Sequence, residues 1–157
     1  MHTKLSAAAA LVVAAALTTG AAMAGHAAAQ QRIAISGGID YSARFVLTPL
    51  TSGPIKRDSG RATHCCWTRR FIQRDGQAIE IDNPLSTYEG KHGTFVYRAQ
   101  IEWIDVEKGY AIGTGTWKIL RGTGAYAHIE GHGRIAIVQG NYQAIADRAE
   151  GLVDLRR

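Results

Sequence analysis

Glycines two residues apart inside a run of β-formers constrain this chain more than any other feature. From Gly109 it reads Gly109-Tyr110-Ala111-Ile112-Gly113-Thr114-Gly115-Thr116-Trp117-Lys118-Ile119-Leu120-Arg121, then Gly122-Thr123-Gly124-Ala125-Tyr126, and on to Glu130-Gly131-His132-Gly133. This is the pattern of a long strand, a Gly-Thr-Gly turn, a short apolar link and a second strand. Glycine in a strand interior marks a sharp bend, as where a sheet closes on itself. Closure also removes exposed edges. The stretch therefore bears on fold class and is silent on chemistry.

The neighbouring segments agree with it. From Gly93 to Asp105, Phe95, Tyr97, Ala99, Ile101 and Trp103 fall on one face; Val96, Arg98, Gln100, Glu102 and Ile104 fall on the other. One apolar and one mostly polar face is the mark of an antiparallel strand with one side buried. Glu107-Lys108-Gly109 then turns the chain so that this strand pairs with the next. Asp75-Gly76 is the clearest local signal, a two-residue hairpin turn needing positive φ at both positions. Pairing about it sets Arg74 opposite Gln77, Ile72 opposite Ile79 and Arg70 opposite Ile81.

Further strands are expected over Arg32 to Ser36, Arg44 to Thr48, Arg61 to Trp67 and Gly131 to Val138, the last with Ile135 and Ile137 on one face. Pro49 through Pro54 reads as a loop, Asp58-Ser59-Gly60 as a turn, and Asn83-Pro84 as a strand stop, because proline cannot donate to a ladder. Gln143 to Asp147 reads as a helical turn before a last strand around Gly151 to Leu155. No stretch has a helical period over 10 to 15 residues. The fold class expected is all-β, a single closed antiparallel β-barrel of about eight strands.

Residues 1–29 stand apart from that fold. Lys4, the apolar run Ala7 to Leu17, and the small-residue patterns Ala22-Met23-Ala24 and Ala27-Ala28-Ala29 build a secretory signal peptide. Cleavage is expected before Gln30, with Gly25 as the alternative start. The apolar run is too short for a bilayer, which needs about 20 residues, so no membrane span is expected and the protein is read as secreted. Residues 30–157 then form one domain.

Removing Lys4 leaves 17 basic against 13 acidic residues, spread along the chain apart from Arg69-Arg70 and Arg156-Arg157. Scattered charge of this size serves solubility, and without a basic run or recognition helix no nucleic-acid partner is expected. The two cysteines, Cys65 and Cys66, are adjacent and form no disulfide framework. Two thiols buried in the sheet are the first reading. A bridge between neighbours and a bond to another chain are the others.

The run Gly113-Thr114-Gly115-Thr116-Trp117, then Gly122-Thr123-Gly124-Ala125-Tyr126, then Gly131-His132-Gly133, resembles the late strands of the allene oxide cyclase barrel-like family. The resemblance covers residues 93 to 138 and implies a small eight-stranded barrel with an aromatic plug, relatives that are cyclases, and a homo-oligomer. It transfers no catalytic residue.

Several motifs are weighed against plainer roles. Gly122 to Ala127 fits a loose dinucleotide pattern but has no crossover helix after it, so no nucleotide cofactor is expected. On a strand His128, Glu130 and His132 would share a face, yet they flank turn glycines, and surface residues rather than a metal site are expected. Arg98 and Glu102 are too far apart to touch and should each meet a charge on a neighbouring strand. His64-Cys65-Cys66-Trp67 is the most unusual composition. On a strand His64 and Cys66 share one face, which makes them the candidate polar or reactive pair.

If the apolar face points inward, Phe95, Tyr97, Ile101, Trp103, Trp117 and Ile119 form the wall of a binding lumen. Three functions fit. One is a binding module for a small apolar ligand. The second is an isomerase or cyclase that folds a polyunsaturated substrate by confinement. The third is a secreted structural or interaction protein with a filled barrel. Whether the chain is an enzyme stays open at this point.

Overall fold

The computed structural model describes residues 30–37, 43–106, 109–140 and 143–155. The expected signal peptide lies outside them. Ten strands are described: β1 (Gln31–Gly37), β2 (Ala43–Pro49), β3 (Asp58–Cys65), β4 (Arg69–Arg74), β5 (Gln77–Asp82), β6 (Leu85–Gly90), β7 (Thr94–Asp105), β8 (Tyr110–Gly122), β9 (Ile129–Gly140) and β10 (Gln143–Leu155). One 3₁₀ turn, Gly124–Tyr126, fills the link between β8 and β9.

Eight of these strands close on themselves. Following hydrogen-bonded neighbours gives β7–β6–β3–β2–β1–β10–β9–β8, and β8 pairs back to β7. Every pairing is antiparallel. The barrel expected from the glycine pattern is therefore present, with two strands outside it. The outside pair, β4 and β5, is the Asp-Gly hairpin. Its register is the one the turn dictates: Arg74↔Gln77, Ile72↔Ile79, Arg70↔Ile81. Asp75 and Gly76 have φ of 52° and 78°, the positive values this turn requires.

An added Cβ at Gly76 would meet nothing within 4 Å, so the cost of a side chain there is purely conformational. Gly76→Ala should lose about 1 kcal/mol of hairpin stability. Amides of residues 69–82 would then exchange faster while those of the barrel keep their protection.

β7 organises the junction. β6 pairs with its first half (Leu85↔Arg98 to Glu89↔Thr94), and β5 with its second half (Asp82↔Ile101 to Glu80↔Trp103). β5 and β6 thus lie end to end along one edge of β7, separated by Asn83-Pro84. Pro84 carries no donor, and its carbonyl accepts from the Ala99 amide at 3.1 Å. On the opposite face of β7, Glu102 is paired at 2.8 Å with Arg74 of β4, which reaches it across β5, and not with a charge on an adjacent strand as expected.

The inward face of the long strands is the apolar one. Phe95, Tyr97, Ala99, Ile101, Trp117, Ile119, Ile135 and Ile137 are all buried and belong to one core with Ile33, Phe45, Leu47, Tyr88 and Tyr126. Trp117 lies across the interior. Its indole stacks on Tyr97 (centroids 5.7 Å, 30°), and its Nε1–H donates to the Arg134 carbonyl at 3.0 Å. Gly151 makes this placement fit, since a Cβ there would sit 2.6 Å from the indole Cζ2.

Three segments differ from expectation. β6 (Leu85–Gly90) is a barrel strand, paired with β3 and β7 directly after Asn83-Pro84, where the sequence reading has none. Asp58-Ser59-Gly60 is the start of β3 and not a turn, because the Asp58 carboxylate replaces what a turn would supply. It accepts from the amides of Ser59 (2.7 Å), Lys91 (2.9 Å) and His92 (3.2 Å) and from the Tyr126 hydroxyl (2.7 Å). This closes one end of the barrel. Gln143 to Asp147 is no helical turn but the beginning of β10, a continuous partner of β9 with one register shift at Ala144/Ala146. The loop after β2 is held down by buried Gln31. Its amide donates to the carbonyls of Thr51 (3.1 Å) and Ile55 (2.9 Å), and its Oε1 accepts from the Ile55 amide (2.8 Å).

Candidate functional site

The end of the barrel opposite Asp58 is built differently. Where β3 ends, β6 begins, β10 begins and β7 runs on past them, a cleft forms. It is lined by His64, Trp67, Asp82, Pro84, Ser86, Tyr97, Ala99, Ile101, Trp103, Ile135, Ile137 and Asp147. The cavity measures about 30 Å³, room for one or two waters. Below it the lumen is filled by aromatic rings. Tyr88 stacks on Phe95 (4.9 Å, 7°), Phe45 meets Tyr88 edge-on (5.1 Å), and Tyr126 meets Phe95 edge-on (5.2 Å).

Of the six expected wall residues, Tyr97, Ile101 and Trp103 line this cleft. Phe95, Trp117 and Ile119 lie deeper and plug the barrel. All six are on the inner side or packed against it. Three exposed apolar residues, Ile104, Ile112 and Val138, are cross-strand neighbours on the outer face of β7–β9.

The cleft floor is polar. His64 Nδ1 and Ser86 Oγ share a hydrogen bond of 2.8 Å, and both residues are buried. The Tyr88 hydroxyl donates to the Tyr97 oxygen at 2.6 Å. Burial pushes both phenols well above their usual range, so both stay protonated. Asp147, on β10, is buried beside them. Loss of solvation raises its carboxyl above the ordinary 3.8, partly offset by amide hydrogen bonds from Gly37 and its own backbone. Asp147 Oδ1 and Trp103 Nε1 are buried with no hydrogen-bond partner among the described residues. Asp82 also faces the cleft and is held by a fork from Arg69, 3.0 Å from Nε and 3.3 Å from Nη2.

Asp147 gives a signed expectation. Its folded pKa is raised, so ionisation above the ordinary value weakens the native state, and no penalty remains once the pH falls below 3.8. Asp147→Asn should therefore melt higher than the parent at pH 7. The gain should vanish in melts recorded below pH 3.8.

The second candidate of the reactive pair is placed elsewhere. Cys66 does not share the inner face with His64. Its φ of 58° ends the strand alternation and turns the side chain outward, where it is exposed. Cys65 is only half-buried, so the expectation of two buried thiols is also corrected. Trp67, which follows, is 41% exposed at the cleft rim. His128 has φ 62° and lies in a turn, while Glu130 and His132 face outward from β9 and are exposed. Among the described residues no three His, Cys, Asp or Glu side chains converge as metal ligands, and no helix is long and apolar enough to cross a membrane.

Compared with protein-family models, curated proteins and solved structures, the chain finds no match. Its chemistry has to be read from the cleft itself. Ser86, Asp82, Asp147 and Trp67 join His64, Tyr97, Ile101 and Trp103 there, and sequence reasoning missed the first three entirely. Ser86 stands two residues before Tyr88, and Asp147 two before Ala149, so strand alternation was the signal that could have found them.

Proposed function

We propose that this chain is an exported binding module that takes the hydroxyl-bearing end of a small, mainly apolar molecule into the open end of its barrel. The observation that carries this reading is the make-up of the cleft. An apolar wall of Ile101, Trp103, Ile135 and Ile137 stands over a buried polar floor, where one donor (Trp103 Nε1–H) and one carboxylate oxygen (Asp147 Oδ1) have no hydrogen-bond partner among the described residues. A buried polar group left unpaired costs about 1–3 kcal/mol. A hydroxyl, which both accepts and donates, offsets that cost at either group.

The small cavity volume argues for end-on binding, with most of the ligand at the rim near Trp67. It argues equally against the cyclase alternative, which needs a whole flexible polyene confined. Export rests on the leader-like residues 1–29. Kinship with the allene oxide cyclase barrel-like family rests on the Gly113–Trp117, Gly122–Tyr126 and Gly131–Gly133 motifs.

Gly113 supplies the test. A Cβ at this position would come within 2.8 Å of the Trp103 ring and 2.9 Å of Ile101, so a side chain drives the indole toward the cleft. Overpacking of this kind costs about 1–3 kcal/mol, which a folded barrel survives. Protein purified from culture medium should carry a small molecule in native mass spectra, and 1-naphthol should quench its tryptophan emission. Gly113→Val should keep the β-sheet circular dichroism and lose both properties. A bare parent protein indifferent to 1-naphthol would defeat the binding reading and leave the filled barrel with a purely external role.

A further inference from the structure

The sulfur pair beside the cleft carries a property of its own. In an extended strand, neighbours such as Cys65 and Cys66 point to opposite faces and cannot meet. Here β3 ends at Cys65, and Cys66 takes φ 58°, the left-handed region that residues with a β-carbon rarely adopt. Three non-glycine residues among those described have positive φ: Asp75, Cys66 and His128. Asp75 belongs to the hairpin turn and His128 to the turn before β9, whereas Cys66 sits where a strand could simply have continued.

The consequence is that Cys66 does not turn to the inner face, as strand alternation after Cys65 would require, but is exposed next to the half-buried Cys65. The residue that follows, Trp67, is the rim of the cleft.

We propose that Cys65 and Cys66 are a reversible disulfide site, which exchanges with small disulfides of the glutathione class to bridge the two neighbours and fix the turn that carries Trp67. The Cys66 thiolate, the accessible one, attacks one sulfur of the small disulfide, breaks its S–S bond and expels one thiolate. Cys65 then loses its proton and attacks Cys66 Sγ in the mixed disulfide, expelling the second. Two S–H bonds are lost, one S–S bond is formed, and the small disulfide is reduced to two thiols that take up both protons. The neighbouring Cys66 thiol, and after it burial, push the Cys65 thiol up. This order of attack follows from that and from exposure.

The proposal does not depend on what the cleft binds. Arg61 and Arg69 bracket the pair, so trypsin leaves both cysteines in one peptide, Ala62–Arg69. The mature protein is incubated with excess oxidised glutathione, blocked with N-ethylmaleimide, digested and weighed. The expected peptide is about 2 Da lighter than the dithiol form, one hydrogen per thiol. It carries no maleimide and regains both thiols after reduction. Tryptophan emission of the intact protein should change on oxidation, and Trp67→Phe should remove that change. Cys66→Ser should give no lightened peptide, and its Cys65 should not become a stable glutathione adduct. A peptide with two maleimides, a lasting glutathione adduct on the parent protein, or a disulfide-linked dimer would each overturn the proposal.

Discussion

Trp117→Ala should lower the stability of this barrel by about 3–5 kcal/mol, the usual cost of deleting a fully buried tryptophan. The ring is 2% exposed, and its removal leaves the Arg134 carbonyl without the indole donor. The site cannot collapse to fill the space, because the residue beneath is Gly151, which has no side chain to move in. For a domain of this size the loss corresponds to a melting point lower by roughly 10–20 °C. Leu120→Ala is the control. Leu120 lies on the same strand but is 49% exposed, and its replacement should stay within about 0.5 kcal/mol. Equal melting points for the two variants would show that the indole does not plug the lumen.

Asp58→Ala should be of similar size, about 3–5 kcal/mol, by a different route. It strands three backbone amides and the Tyr126 hydroxyl at the closed end, each of which had the carboxylate as acceptor. Burial alone would raise the Asp58 pKa. The hydrogen bond from Tyr126, followed by those from Lys91, His92 and Ser59, outweighs it, and the net shift is downward from 3.8. A depressed carboxyl pKa stabilises the fold above the ordinary value, and that contribution is lost as the pH falls through the folded value. The parent should therefore lose stability on acidification below about pH 4 with a slope that Asp58→Asn lacks. Chemical denaturation at pH 7 and pH 3 gives both slopes. Parallel curves for parent and variant would remove Asp58 from this role.

The two ends of the barrel differed in how far they could be read from the sequence. The Asp75-Gly76 hairpin was legible to the residue, register included, because turn chemistry fixes a two-residue loop from local sequence alone. That the hairpin lies outside the barrel was not legible. It depends on β5 docking along the second half of β7, a partner 19 to 23 residues further along the chain (Asp82↔Ile101 to Glu80↔Trp103).

The inward face of β7 could be read from its alternation, and with it Tyr97, Ile101 and Trp103 of the cleft. Ser86 is hidden because it lies on β6, a strand the sequence reading lacks, and Asp147 because a buried polar residue in a strand looks like an ordinary outward one. For Asp147 the start of β10 had in addition been read as helical. Asp58 was misread for a related reason: Asp-Ser-Gly has turn composition, and only the fold brings Lys91, His92 and Tyr126 to its carboxylate. Gly113 was noticed as a bend, while its part in seating Trp103 needs the cross-strand pair Trp103↔Gly113.

In the ladder of described strands β4 stands last, with one side bonded to β5 and nothing along the other. Such a rim invites a second molecule to add its own strand and start a fibre. Three of its six residues are arginines, Arg69, Arg70 and Arg74, and two of these are tied to acids, Arg69 to Asp82 on β5 and Arg74 to Glu102 on β7. A copy approaching edge to edge would have to bring like charge against like charge. The strand that the barrel leaves over is thereby the one least able to recruit another of its kind.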